Sequence, residues 1–169
     1  MLKPVRGICI LLSCFLLFII NSCARHTNSE RYDKPVNTDR RISLTNMNAD
    51  IIDLVNQCRK SRGLAPLKVL PMASIEAANH SLDMAMKKVP FGHDGFKQRA
   101  IVLADQLHGS SATGENVAYG KMTAKEVVAA WLRSAAHRAN LEGDFTYTGV
   151  GVAKDNRGVV YYTELFVKK

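Results

Sequence analysis

The chain closes with two β-branched and aromatic runs, Tyr147 to Lys154 and Val159 to Val167, split by Asp155-Asn156-Arg157-Gly158. Two such runs around a polar, glycine-ended turn predict a β-hairpin. Upstream of it, Ile51, Leu54, Val55 and Cys58 fall at i, i+3, i+4 and i+7 between Asn48 and Arg62. That stripe predicts a helix with Asn48 as N-cap, Gly63 as stop and Cys58 as a small core hydrophobe. A second helix is predicted over Pro71 to Lys88, with Pro71 early and Ile75, Ala78, Leu82, Ala85 and Met86 facing inward. Met72, Met84 and Met86 read as packing residues. Pro90 to Gly95 reads as a turn, Phe96 to about Leu107 as a third helix, Gly109 to Gly114 as a linker and Glu115 to Tyr119 as a short strand. Thr123-Ala124-Lys125-Glu126 is a capping box, in which hydroxyl and carboxylate satisfy each other's backbone N–H groups. The helix it starts carries Val127, Val128, Ala130, Trp131 and Leu132, and a short helix bearing His137 and Asn140 follows. Helices, short strand, helix and then hairpin predict a sheet packed against helices.

A length of 169 residues allows one domain with tails. With 47% apolar and 22% charged residues the bulk is a packed globular chain, and collagen, coiled-coil and repeat architectures are excluded. The start is different. Lys3 and Arg6 precede a thirteen-residue apolar run from Ile8 to Ile20, broken only by Ser13. A bilayer-spanning helix needs about 20 such residues, so this length suits the core of an export signal. Ile20-Asn21-Ser22-Cys23 resembles a bacterial lipobox, although Asn21 is less usual there than a small apolar residue. Residues 1–22 therefore read as a lipoprotein signal peptide, with Cys23 the lipidation site and first mature residue. The membrane is then a partner through acyl chains, each buried methylene contributing about 0.8 kcal/mol. Ordinary cleavage, giving a soluble secreted protein, is the alternative. Residues 23–43 are polar and almost free of large aliphatics, which reads as a flexible tether, and the folded domain takes 44–169. Cys9, Cys14 and Cys23 all lie in the leader region, so Cys58 alone remains and the domain has no disulfide framework. The formal charge is +8, or +6 once Lys3 and Arg6 are removed, and without a run of adjacent cations it reads as solubility.

Three polar residues stand out: His93 in a glycine turn, Glu115 between Gly114 and Asn116, and His137 after Trp131. Taken singly, each has an ordinary reading as a solvent-exposed or helix-end group. Their surroundings carry more. Gly114-Glu115-Asn116-Val117-Ala118, Trp131 to Leu141, Phe145 and Gly149-Val150-Gly151-Val152 closely resemble the bacterial branch of the CAP superfamily. That superfamily contains cysteine-rich secretory proteins, venom antigens and plant pathogenesis-related proteins, and its module is also called the SCP domain. The resemblance extends to Arg62-Gly63-Leu64, Pro66-Leu67, Phe91, His93 and Arg99. It ends at Tyr161 to Phe166, where relatives often have glutamine in place of Glu164, and it covers about residues 45 to 167 in order.

The resemblance implies an α+β fold, a three-layer α-β-α sandwich with a central, mainly antiparallel sheet and helices on both sides. It also implies a cleft lined by two histidines and up to two acidic residues. Carried over, His93, Glu115 and His137 take three of these places, whereas the second acid of many eukaryotic members falls on Ser134. That departure removes a negative charge and a general base, and Ser134 also suits an N-cap. His93 and His137 are candidate ligands for zinc or another divalent metal, with Glu115 able to support a bound water. A His-Glu-His cleft held by hydrogen bonds alone is the alternative. Asn116 reads as a loop organiser within the cleft motif. His80 and His108 match no family position and read as packing or surface residues.

Three functions remain open at this point. The first is a non-catalytic envelope module, anchored in the outer membrane or at the cell surface, that takes a lipid, glycan or peptide in its cleft. The second is a metal-dependent hydrolase in which Glu115 moves protons beside a metal-bound water, with His93 and His137. The third is a surface adhesion protein using its outer face. Export and the lack of a basic-aromatic motif argue against a nucleic-acid partner.

Overall fold

The computed structural model describes Leu44 and residues 46–169; the predicted leader, tether and Cys23 lie outside these. In chain order the elements are α1 (Met47–Ser61), β1 (Lys68–Val69), α2 (Pro71–Ala85), α3 (Phe96–Gln106), β2 (Ala112–Gly120), α4 (Ala124–Arg133), α5 (Ala135–Leu141), β3 (Tyr147–Lys154) and β4 (Val160–Lys168). The predicted hairpin is β3–β4. Its turn is held by Asp155, whose Oδ1 accepts from the Arg157 and Val159 N–H groups at 2.9 Å each.

The sheet runs β1-β3-β4-β2, with β1 parallel to β3 and every other pair antiparallel. Side chains alternate across a strand, and β4 is apolar on both faces. Val160, Tyr162 and Phe166 pack with Ile51, Val55, Val127, Val128 and Trp131 of α1 and α4. Leu165 and Val167 pack with Ala73 and Ala77 of α2 and with Leu103 of α3. A central strand buried on both sides forces helices onto both faces, which is the three-layer α-β-α sandwich expected from the family resemblance.

Helix ends obey local chemistry. At the C-terminus of α1, Gly63 takes φ +71 while its N–H donates to Lys60 O and that of Leu64 to Arg59 O. This is the glycine-terminated stop the sequence predicts. The start is shifted: Asn46, not Asn48, is the N-cap, in a left-handed conformation without a side-chain cap. Asn tolerates that conformation better than most residues, so the chain enters the helix two residues early. The capping box at Thr123 forms, with Oγ1 accepting from Glu126 N–H and Glu126 Oε2 accepting from Thr123 N–H. Cys58 is part-buried against the α1/α4 core.

The largest departure from the sequence reading is α2. It ends at Ala85, and Ile75, Leu82 and Met86 are 52%, 47% and 62% exposed instead of buried. Ala73, Ala77, Ser81, Met84 and Ala85 face inward, with Ala78 half-buried. The cause lies on β3. A Cβ on Gly149 or Gly151 would overlap the α2 backbone at Ala73–Ser74 and Ala77–Ala78, so helix and strand meet backbone to backbone. Only small residues fit that contact, and Ile75, Leu82 and Met86 are turned outward. β2 is also longer than expected, because the presumed linker after Gly109 pairs with the end of β4 from Ala112 onward.

Candidate functional site

Strand β2 lies at an edge of the sheet, and its consecutive residues Glu115 and Asn116 point to opposite faces. Glu115 faces α3. Arg99 meets it side-on, Nε donating to Oε2 at 2.8 Å and Nη2 to Oε1 at 2.9 Å. His93 Nδ1 adds a third bond to Oε1 at 2.8 Å. A carboxylate only accepts, so Nδ1 carries the proton of this bond, on a half-exposed ring. Arg99 Nη1 also donates to Asp94 O at 2.8 Å, tying the histidine loop to α3. From the other side, buried His80 donates through Nε2 to Gly92 O at 2.8 Å. Burial lowers the His80 pKa, so this ring is a neutral strut under the His93 loop.

Asn116 is fully buried and faces α5. Its Nδ2 donates to His137 O at 3.1 Å, and its Oδ1 accepts from Asn140 Nδ2 at 2.9 Å. Asn140 Nδ2 also donates to Glu115 O, and Trp131 Nε1 donates to Val117 O. These bonds satisfy carbonyls that an edge strand otherwise leaves open. Arg59 Nη1 donates to Leu141 O and Gly143 O, fixing the far end of α5. His137 is thus held by its backbone, with its ring half-buried; desolvation first, and His93 second, push its pKa down. Ser134 occupies the N-cap position of α5, but its side chain makes no cap hydrogen bond.

With this geometry in view, the profile of the cysteine-rich secretory protein family, CAP, matches residues 52–166. The chain belongs to the CAP family. Two proteins of Bacillus subtilis (strain 168) are similar to it. The "Uncharacterized membrane protein YlbC" is 35% identical over 130 residues, which is 74% of this chain and 35% of that protein. The "Uncharacterized protein YkwD" is 34% identical over 122 residues, 70% of this chain and 46% of that protein. Among solved structures, an extracellular protein containing an SCP domain from Bacillus anthracis str. Ames matches with a TM-score of 0.63 and 30% identity. That match covers 74% of this chain and 41% of the other. The chain therefore spans less than half the length of these relatives.

Within this CAP domain the sequence-predicted residues are brought together unequally. His93 and Glu115 touch, and His137 lies near enough to feel the charge of His93. Asn116 is a support behind α5 and offers nothing to a ligand, since both its polar atoms are used and it is fully buried. As a zinc site the donor set fits poorly. Both Glu115 oxygens are taken by Arg99 and His93, and no group of three His, Cys, Asp or Glu among the described residues is arranged to hold a metal ion. The residue that sequence reasoning left without a role is Arg99. The signal was present: Phe96, Arg99, Leu103 and Leu107 form the inward stripe of α3, and an arginine in a core position requires a buried acid.

Proposed function

We propose that this chain is an exported bacterial envelope protein, held on a membrane through lipidated Cys23, whose CAP domain binds a glycan or peptide without catalysis. One observation carries the reading: the carboxylate expected to act as base or metal ligand is instead the middle of a closed Arg99–Glu115–His93 clamp. A base whose oxygens already accept three N–H bonds has little capacity left for a substrate proton. What the site offers outward is two imidazole rings, those of His93 and His137, with the Ser134 hydroxyl nearby in sequence. Such groups suit hydroxyl- and amide-rich ligands. An envelope location is supported by the extracellular description of the Bacillus anthracis structure and the membrane-protein name of YlbC.

The test is nitrogen-resolved NMR of the histidine rings during titration with soluble cell-wall fragments, alongside an assay for fragment cleavage. Shifts confined to His93 and His137 with no product support the reading. Product formation that vanishes in His137→Ala would establish a hydrolase instead.

A further inference from the structure

A cavity of about 280 Å³ lies between α2 and the start of α3, beside the His93 loop. Its wall carries Glu76, His80 and Asp83 from α2, and Asp94 and Arg99 from the loop and helix that follow. The charges there are unequally matched. Arg99 is already taken, with Nε and Nη2 on Glu115 and Nη1 on Asp94 O. Asp83 is shared with Lys88, whose Nζ lies 3.0 Å from its Oδ1. The carboxylates of Glu76 and Asp94, in contrast, have no hydrogen-bond or ion-pair partner among the described residues. A buried group adds to them. His80 is only 4% exposed, and its Nε2 donates to Gly92 O. Burial lowers its pKa and keeps the ring neutral, so Nδ1 holds a lone pair, and no described residue donates to it.

The pocket therefore presents acceptors on two elements and no uncommitted cation. An anionic ligand would meet Glu76 and Asp94 and find Arg99 engaged. A bare metal ion fits no better: no three His, Cys, Asp or Glu among the described residues are arranged to hold one, so the acceptors do not converge on a point. A ligand that carries charged donors on a stem can reach separated acceptors, and Val89 lends the wall an apolar contact for such a stem. We infer that this pocket binds a small alkylammonium, a primary amine on a short aliphatic chain. It is separate from the rings of His93 and His137 but shares two struts with them. His80 holds Gly92 O and Arg99 holds Asp94 O, the carbonyls on either side of His93. The inference does not depend on what those two rings bind.

The experiment follows the His80 ring nitrogens by NMR in the full chain, in nonionic detergent at constant ionic strength, while the linear diamine cadaverine is added. Saturable shifts at His80 are expected, with a dissociation constant of about 1 mM. The uncharged diol of the same chain length should give none. Glu76→Gln combined with Asp94→Asn should weaken the amine at least fivefold. Neither carboxylate has a partner to lose, so an unchanged thermal midpoint verifies that the variant folds. Acetyl-lysine amide distinguishes the source: binding as tight as the diamine assigns a peptide-borne ammonium, and weaker saturable binding a free diamine. No saturation at His80 below about 10 mM cadaverine, equal binding of the diol, or undiminished affinity in the double variant overturns the inference.

Discussion

Two glutamates are buried on opposite faces of the same sheet, and they meet burial in different ways. Glu115 faces α3 with both oxygens paired to Arg99 and His93. Glu164, on the face toward α1 and α5, is fully buried with only Thr148 Oγ1 beside its Oε1 at 3.1 Å, and its Oε2 has no hydrogen-bond partner. Burial pushes the Glu164 carboxyl up to about 8, against the weaker downward pull of Thr148 and then Arg59. One acid is met by an arginine, whereas burial favours the protonated form of the other. The arginine-paired acid organises the His93 loop. The neutral one stands in for an amide, in keeping with the glutamine that the family resemblance places there, beside Asn116, its neighbour across the strands.

The difference is largest if the partner is removed. Arg99→Met leaves buried Glu115 with His93 as its one remaining side-chain partner, and should cost about 3–5 kcal/mol in denaturant unfolding. A loss below about 1 kcal/mol would mean that Glu115 is not held by that charge. Glu164→Gln should act oppositely. Because the folded carboxyl binds its proton more tightly than the unfolded one, wild-type stability is full below about pH 4.3 and declines as pH rises toward 8. The amide removes that slope, with a gain of roughly 2–4 kcal/mol at pH 8 and almost none at pH 4. Equal stabilisation at both pH values would contradict the assignment.

Smaller effects sharpen the same contrast. Asn116→Ala should cost about 1–3 kcal/mol and raise hydrogen exchange in α5, leaving the His93 loop protected. Exchange spreading into the His93 loop would show that the two supports are not separate. Smallest is the effect of His93→Ala on His137. Its NMR titration midpoint lies below the ordinary histidine value and should rise when the neighbouring charge is deleted, desolvation still holding it down.

Much of this molecule was legible in its residues where local chemistry decides structure. The β3–β4 hairpin, the Thr123 capping box and the Gly63 stop follow from turn and cap chemistry within a few positions. His93, Glu115 and His137 came from motif resemblance, not from any local signal. The misreading of α2 has a different origin. A periodic stripe shows which apolar residues share a face, but Ile75, Leu82 and Met86 are turned outward by Gly149 and Gly151, some 70 residues away in the chain. Asn116, read as a loop organiser, was legible only in part for a related reason: strand alternation predicts that it opposes Glu115, while its bonds to His137 and Asn140 beneath α5 depend on the tertiary packing.

The central claim is that Glu115 is a structural clamp held by Arg99 and His93. Its most direct test is zinc calorimetry on the chain, purified without a histidine tag, beside the double variant His93→Ala, His137→Ala. The account predicts no stoichiometric zinc binding that the double variant abolishes. A tight one-to-one site lost in that variant would contradict it, and would put the metal-dependent hydrolase back in first place.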